Sequence, residues 1–472
     1  MPLARHTRAA VVVAVITSSL VTAGHQASAD QVEATCAAPA AQGPTLRYLI
    51  LFDRGTPASA AASEITGACG STTVFYPQIA VAVATSTSRG FAERIGLDRA
   101  FSAQSARLGK NSPNRDETTS LTPAHAPAGT AVVAAADRTG EQWDMAMIRA
   151  TEAHTISKGS RDVVVGVLDS GVDAAHPELS PAMASEESAG CVTGKPDTRP
   201  QAWAPTSSTH GTHVAGIIAA SDDGRGITGV APGVRVASVK VVDDDGHIYP
   251  EYAVCGFMWA AERGMKVTNS SYFVDPWLFT CSYGPQQVVR ETLRRAVEYA
   301  GSRGVVNVAA ATNEGIDMAD PPQPGCRVLP AGLRGVVAVS SVGPDLVKAG
   351  YSAYGLGTID VTAPGGDRKG RGAQADEDCV LSTVPGGYQH RCGTSMAAPH
   401  VSGVAALLAS THPESSAPEL TRMLNKQAQR LPCPGDYDLN GTGAQDAFCT
   451  GYQPYNSFYG HGMVDTLAAV SN

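Results

Sequence analysis

Residues 163–168 (VVVGVL) form a continuous apolar run, and residues 234–242, 305–310 and 335–342 repeat the theme. Such a run, without alternation, is expected of a strand buried on both faces. Helical patterns fall between these runs, at 211–220, 251–263, 286–303 and 396–410. Strands alternating with helices predict an α/β fold, a parallel sheet flanked by helices and joined by right-handed crossovers. In such sheets a site forms at the carboxyl ends of the strands. No internal repeat is visible.

The first 140 residues follow another pattern. Arg5 and Arg8 precede a mostly apolar stretch at 9–23, and Ala27-Ser28-Ala29 supplies small residues for cleavage. Residues 1–29 therefore read as an export signal, cut before Asp30. As a membrane anchor the stretch is too short, and Thr17, Ser18 and Ser19 interrupt it. Residues 47–52 and 73–84 read as strands from their β-branched and aromatic content, and 90–99 as a short helix. This small α/β unit lies within residues 30–110. Residues 111–140 are rich in Pro, Ser, Thr, Ala and Gly, the composition of an extended linker. Ordered sequence resumes near Trp143, and residues 141–472 carry the alternating pattern.

A net charge of −9 over 472 residues argues against a nucleic-acid partner. Ten cysteines in an exported chain predict disulfides. Cys36 and Cys69 precede the larger region and eight lie within it, so an even count in each part fits pairing within each part. No C-x-x-C occurs, which argues against a zinc ribbon or a thioredoxin-like site. Cys379 and Cys392 flank a hairpin predicted through Pro385-Gly386-Gly387, and form one expected local pair. Cys433 and Cys449 form the other. Cys191, Cys255, Cys281 and Cys326 stay unassigned, because connectivity does not follow from spacing.

Four polar residues punctuate the alternating region. Asp169 directly follows the run at 163–168. It is either a strand-end carboxylate or the start of a turn at Asp169-Ser170-Gly171. His210 precedes the helical stretch at 211–220, where a lone histidine is commonly a surface residue. His210-x-x-His213 could pair on a metal, but zinc helices of the HEXXH type space their histidines by four, with a Glu between. Ser395 follows Gly393-Thr394 and opens a helix rich in small residues. It is an N-cap, or a nucleophile beside a helix terminus that favours a developing oxyanion. Asn313 follows the run at 305–310 and is a turn residue or a second oxyanion donor. In the order Asp…His…Ser these groups supply the carboxylate, base and nucleophile of acyl transfer, which needs no cofactor.

DSGVD at 169–173, HGTHVAG at 210–216 and GTSMAAPHVSG at 393–403 resemble the motifs of the subtilisin-like serine proteases (subtilases, family S8), over roughly residues 142–469. The resemblance implies a parallel sheet flanked by helices and endopeptidase activity through an acyl-enzyme. It implies Asp169 as orienting acid, His210 as general base, Ser395 as nucleophile, and Asn313 (in AATNEG) as the oxyanion-hole asparagine. Residues 46–108 look like the family's pro-region, which chaperones folding and blocks the cleft. The linker at 111–140 is then the zone of self-processing. The expected product is a secreted, monomeric protease made as a zymogen. Its partners are protein or peptide substrates and its own pro-region.

The cleft departs from the family pattern. Residues 267–273 (VTNSSYF) match the edge strand that pairs with substrate backbone, with Ser271 at its usual serine, followed by Tyr272. Phe273 stands where a Gly leaves one wall of the primary specificity pocket open, and Thr312 stands where Gly is frequent. The family's preference for large apolar side chains is therefore not carried over. Gly246 closes the acidic segment 243–245 on the opposite edge. That segment either favours basic substrate residues or is a solvated loop. Structural calcium is expected from the resemblance at Glu178 (in HPEL) and Asp223 (in SDDGRG). Asp436-x-Asp438-x-Asn440-Gly441 also resembles the start of an EF-hand loop, with Ala447 at the twelfth position and Asp446 one place early. A catalytically silent binding protein, and an esterase or peptide ligase, would share the same motifs.

Overall fold

The computed structural model describes Cys36 and residues 42–108, 136–367 and 375–471. The export signal and residues 111–135 of the linker lie outside the described residues. The N-terminal unit runs β1 (Gln42–Leu51), α1 (Ala58–Gly67), β2 (Ser71–Tyr76), β3 (Val81–Ser88), α2 (Phe91–Ile95), β4 (Ala100–Phe101) and α3 (Ala103–Leu108). Its strands form one antiparallel sheet in the order β2-β3-β1-β4.

Two expectations are corrected here. The run at 73–84 is not one strand. Pro77 has no N–H for a ladder, the Ile79 N–H turns back to the Tyr76 carbonyl (3.2 Å), and Ala80 takes a φ of 51°. The helix expected at 90–99 stops at Ile95, where Gly96 at φ 110° breaks the helical path.

Period-two alternation explains how this unit packs. Tyr48, Ile50 and Phe52 point with Ala80, Ala82 and Ala84 towards Ile65 of α1 and Phe91 and Ile95 of α2. Leu49, Val81 and Val83 point the other way and join the core of the larger body. One face of the small sheet is thus covered by the rest of the chain together with Ala103 and Ala106 of α3.

The larger body contains β5 (Val164–Asp169), β6 (Ala189–Gly190), α4 (His210–Ala219), β7 (Arg235–Lys240), α5 (Pro250–Glu262), β8 (Val267–Ser270) and α6 (Gln286–Ser302). It continues with β9 (Val306–Ala310), β10 (Val336–Val342), β11 (Val361–Pro364), β12 (Val380–Val384), β13 (Gly387–Arg391), α7 (Thr394–Thr411) and α8 (Ala417–Gln427). Seven strands form a parallel sheet in the order β11-β10-β9-β8-β5-β7-β6. Val165 and Val167 pack with Val214, Ile218, Val401 and Leu408 of α4 and α7. Val164 and Leu168 pack with Phe257, Leu293 and Val297 of α5 and α6. This two-sided burial is what the unbroken apolar runs require.

The chain leaves β5 towards β7 and β6, then returns to place β8 on the other flank of β5. That reversal opens a crevice at the carboxyl edge. It also corrects the reading of 267–273 as an edge strand. Val267–Ser270 bonds to β5 on one side and to β9 on the other, so it is central. Only 271–273 emerge beyond the sheet.

The ordered body begins slightly before residue 141, because the Arg138 N–H bonds to the Gly226 carbonyl (2.6 Å) and the Gly226 N–H to Ala136 (3.1 Å). Both expected local disulfides are formed, Cys379–Cys392 and Cys433–Cys449. The others are Cys36–Cys69, Cys191–Cys255 and Cys281–Cys326, each within one part of the chain. No helix among the described residues is long and apolar enough to cross a membrane.

Candidate active site

Asp169 is the last residue of β5 and is 1 % exposed. His210 is the first residue of α4. The imidazole Nδ1 lies 2.8 Å and 2.9 Å from the two Asp169 oxygens. An ionised carboxylate only accepts, so Nδ1 carries the proton and Nε2 keeps its lone pair. The Ser170 N–H donates to Asp169 Oδ1 at 2.7 Å, and the Ser170 hydroxyl accepts from the Gly211 N–H at 3.0 Å. Gly211 is needed for this approach. A Cβ there would meet the Gly171 carbonyl at 2.5 Å and Asp169 Cβ at 3.1 Å.

Ser395 lies in the first turn of α7, where its N–H has no intrahelical acceptor and the helix dipole is positive. Pro399 sits four residues on, inside the same helix, and has no N–H to give the Ser395 carbonyl. That carbonyl instead accepts from the Ser271 hydroxyl at 2.9 Å. In return the Ser395 hydroxyl donates to the Ser271 carbonyl at 3.2 Å, not to His210. Hydrogen bonds at such sites are often unmade until substrate binds.

Asn313 follows β9 at the same carboxyl edge. Its Oδ1 accepts from the Thr394 N–H (2.9 Å) and the Thr394 hydroxyl (2.8 Å). A main-chain N–H must face an oxygen, so this pair fixes the amide and leaves Nδ2 as the outward donor. A Cβ at Gly393 would come within 3.3 Å of that Nδ2. A Cβ at Gly393 would also come within 3.7 Å of the Ser395 nitrogen, so the two donors, the Ser395 N–H and Asn313 Nδ2, lie beside the same turn.

Residues 160–462 match the Subtilase family. The chain belongs to the subtilase family. Subtilases are serine-type endopeptidases. The chain is 32% identical to fervidolysin of Fervidobacterium pennivorans over 64% of this chain, but spans only 41% of that protein. It is 34% identical to subtilisin BL of Lederbergia lenta, over 65% of this chain and 96% of that protein. The crystal structure of the epidermin leader peptide processing serine protease of Staphylococcus aureus covers 91% of this chain and 98% of that one, with a TM-score of 0.64. At 20% identity this last likeness is one of fold.

The residues expected to wall the cleft lie in loops beyond the sheet edge. Tyr272 is buried, with its hydroxyl 3.4 Å from the Ser270 hydroxyl. Phe273 is half-buried and packs on the apolar cluster shared with the N-terminal unit. Thr312 has a φ of 122°, costly for a β-branched residue, and its buried hydroxyl has no hydrogen-bond partner. Gly246, at φ 80°, turns the loop after β7. In that loop Asp243 caps the Asp245 N–H (3.1 Å) and the His247 N–H (2.9 Å), and Asp244 pairs with Lys240 (3.3 Å). Asp275, beyond Phe273, accepts from the Ile248 N–H at 2.8 Å and so joins the two edges.

Two contributors had no signal in the sequence. Arg391 at the end of β13 donates to the Thr209 hydroxyl beside His210, and burial lowers its guanidinium pKa although the Asp169 charge opposes this. Tyr388 is the other: the β12–β13 hairpin, expected from the sequence and stapled by Cys379–Cys392, places it on Glu178.

The expected calcium ligands fit a cation in part. Glu178 is 3 % exposed; its Oε1 accepts from the Tyr388 hydroxyl (2.8 Å), and its buried Oε2 has no partner. Burial, with Asp223 nearby, pushes this carboxyl up to about 7. Asp223 is exposed and caps the Arg225 N–H at 3.0 Å. Two carboxyl groups are fewer than the six or more oxygens that calcium takes, so main-chain carbonyls of the 221–227 loop would have to supply the rest. In the second loop Asp438 holds the Thr442 and Gly443 N–H groups (3.0 and 2.7 Å), Asp436 holds Gln445 (2.8 Å), and Asn440 donates to Asp446 (2.8 Å). Those groups close their own loop. Among the described residues the cluster of three ligating side chains lies elsewhere, at Asp243, Asp245 and His247.

Proposed function

We propose that this subtilase is a secreted serine endopeptidase that acts through Asp169, His210 and Ser395, and is made as a zymogen. The observation that carries the reading is the His210 imidazole, fixed by Asp169 with its Nε2 lone pair free, at the same sheet edge as Ser395 and Asn313. As Ser395 Oγ attacks the peptide carbonyl, its proton passes to Nε2 and the carbonyl π pair moves onto oxygen. Asn313 Nδ2 and the Ser395 N–H receive that oxyanion. Collapse expels the amine, which takes the proton from Nε2 and leaves an acyl-enzyme. Water then attacks with the same base and releases the acid.

Five disulfides and the export-like first 29 residues support secretion. The zymogen reading is supported by an N-terminal sheet whose second face is apolar and covered by α5 and α6. Polar contacts add to that seat: the Tyr76 hydroxyl on the Gly194 carbonyl (2.9 Å), and Arg295 on the Phe52 and Ile79 carbonyls (2.9 Å each). A monomer acting on protein substrates is the simplest form. Calcium between Glu178 and Asp223 is proposed as a structural element only, supported by the orphaned Glu178 oxygen.

Expression of the full chain tests the activity. Wild type is expected to release its N-terminal unit and hydrolyse casein, whereas Ser395→Ala loses at least about 10⁴-fold in kcat and stays unprocessed. Hydrolysis unchanged in Ser395→Ala would sink the reading.

A further inference from the structure

The two oxyanion donors stand on separate pieces of chain. Asn313 follows β9, and Ser395 follows the Gly393 turn that opens α7. Asn313 Oδ1 joins the two pieces directly, through Thr394. A second connection runs through residues 351–353, between β10 and β11. There the Ala353 N–H donates to the Thr312 carbonyl at 3.1 Å, and the Tyr351 carbonyl accepts from the Gly315 N–H at 2.7 Å. The loop that carries Asn313 is thus held on both sides of that residue.

The Tyr351 side chain reaches the other piece. Its hydroxyl lies 3.0 Å and 2.6 Å from the Gly365 and Gly366 carbonyl oxygens, directly after β11, and 2.8 Å from the Ser341 hydroxyl. The phenol has one proton to donate, so the two carbonyls share it and the Ser341 hydroxyl donates to the phenol oxygen. The same Gly365 carbonyl accepts from the Gly393 N–H at 2.9 Å. The seat is close-packed. A Cβ at Gly365 would meet Ser341 Oγ at 2.1 Å and the Gly393 carbonyl oxygen at 2.5 Å, and one at Gly366 would meet Cys392 Sγ at 2.7 Å. The bonds close a ring that runs from Asn313 to Thr394, from Gly393 to Gly365, on to the Tyr351 hydroxyl, and from the Tyr351 carbonyl back to Gly315.

We propose that Tyr351 is a positioning residue of the oxyanion hole, whose hydroxyl and carbonyl close this ring and so fix the Asn313 amide relative to the Ser395 N–H. This rests on the endopeptidase reading and adds to it a residue that acts only through others. Preorganised donors help where they match the place at which charge develops. A loosened ring therefore weakens binding of the transition state and leaves binding of the ground state, so its loss falls on kcat and not on KM.

The test uses the processed product of the full chain and an internally quenched peptide that wild type cuts. Tyr351→Phe keeps the ring and the main-chain carbonyl and removes only the hydroxyl. It is expected to lower kcat about tenfold with KM unchanged. Asn313→Ala already opens the ring of bonds, so adding Tyr351→Phe to it should cost less than about twofold more. If Tyr351→Phe gives no folded product, Ser341→Ala, which removes the hydroxyl that seats the phenol, carries the same cycle with a loss of about threefold. Wild-type kcat in Tyr351→Phe, or a rise in KM with kcat intact, would overturn the proposal. So would the full tenfold loss in both backgrounds, since the hydroxyl would then act on something other than the paired donors. Failure of wild type to cut any peptide would strike at the endopeptidase reading instead.

Discussion

The proposed catalytic side chains and the proposed cleft walls are held in different ways. Asp169, Asn313 and Ser395 are each fixed by a main-chain group at or beside the carboxyl edge of the sheet, and His210 by the Asp169 so fixed. The walls are held partly by main-chain groups, on Asp243 and Asp275, and partly by side chains from far along the chain: Tyr388 on Glu178, Arg391 on Thr209, and Arg107 on His247 and Tyr249. Main-chain anchoring keeps the chemistry rigid.

Variants that break the floor should act on rate, and variants that break the walls on stability or selectivity. Outside Asp169, His210 and Ser395, the largest effect is expected from Asn313→Ala. It should lower kcat about 10²–10³-fold with little change in KM, a figure that rests on another subtilase. A proportional rise in KM with kcat intact would remove Asn313 from the oxyanion hole.

Glu178→Gln should test the wall. The folded carboxyl is raised from 4.5 to about 7, so the folded state holds a proton that the unfolded chain has released in that window. This favours folding fully below pH 4.5, and the benefit is lost as pH rises to 7. In chelator, Glu178→Gln should therefore match wild type at pH 4.5 and exceed it at pH 8, by up to about 3 kcal/mol. Calcium that raises the wild-type melting temperature but not the variant's would place the ion on Glu178. No effect of calcium on either would remove it from this site.

Ser271→Ala should leave the Ser395 carbonyl without a donor and lower kcat about tenfold. Adding Pro399→Ala restores a helical N–H at that carbonyl, so the double variant should recover most of the loss. Additive losses would show that the Ser271 hydroxyl acts by another route. The smallest effect is expected from Thr312→Gly. Relief of the positive φ outweighs glycine's entropy, and the chain should gain about 1 kcal/mol in denaturant unfolding. A clear loss of stability would mean that the Thr312 side chain is held by more than its strain suggests.

Much of this was legible in the sequence where interactions are local. Unbroken apolar runs announced strands buried on both faces, and β5, β7, β9 and β10 lie within a residue or two of them. Gly211 and Gly393 mark close approaches, which is why the motifs around His210 and Ser395 are recognisable at all. Strand order was not legible, because neighbours are chosen by tertiary packing, and 267–270 reads the same at an edge or a centre. Arg391 and Arg107 carried no signal. Their partners lie 182 and 140 residues away, and an arginine's role depends on what it meets.

The central claim is that Ser395 is a nucleophile activated by His210 and Asp169. Reaction of the processed protein with a fluorophosphonate, followed by peptide mapping, tests it most directly. The account predicts one adduct, on Ser395, lost in Ser395→Ala and strongly slowed in His210→Ala. A processed, folded protein that takes no label, or takes it on another serine, would contradict it.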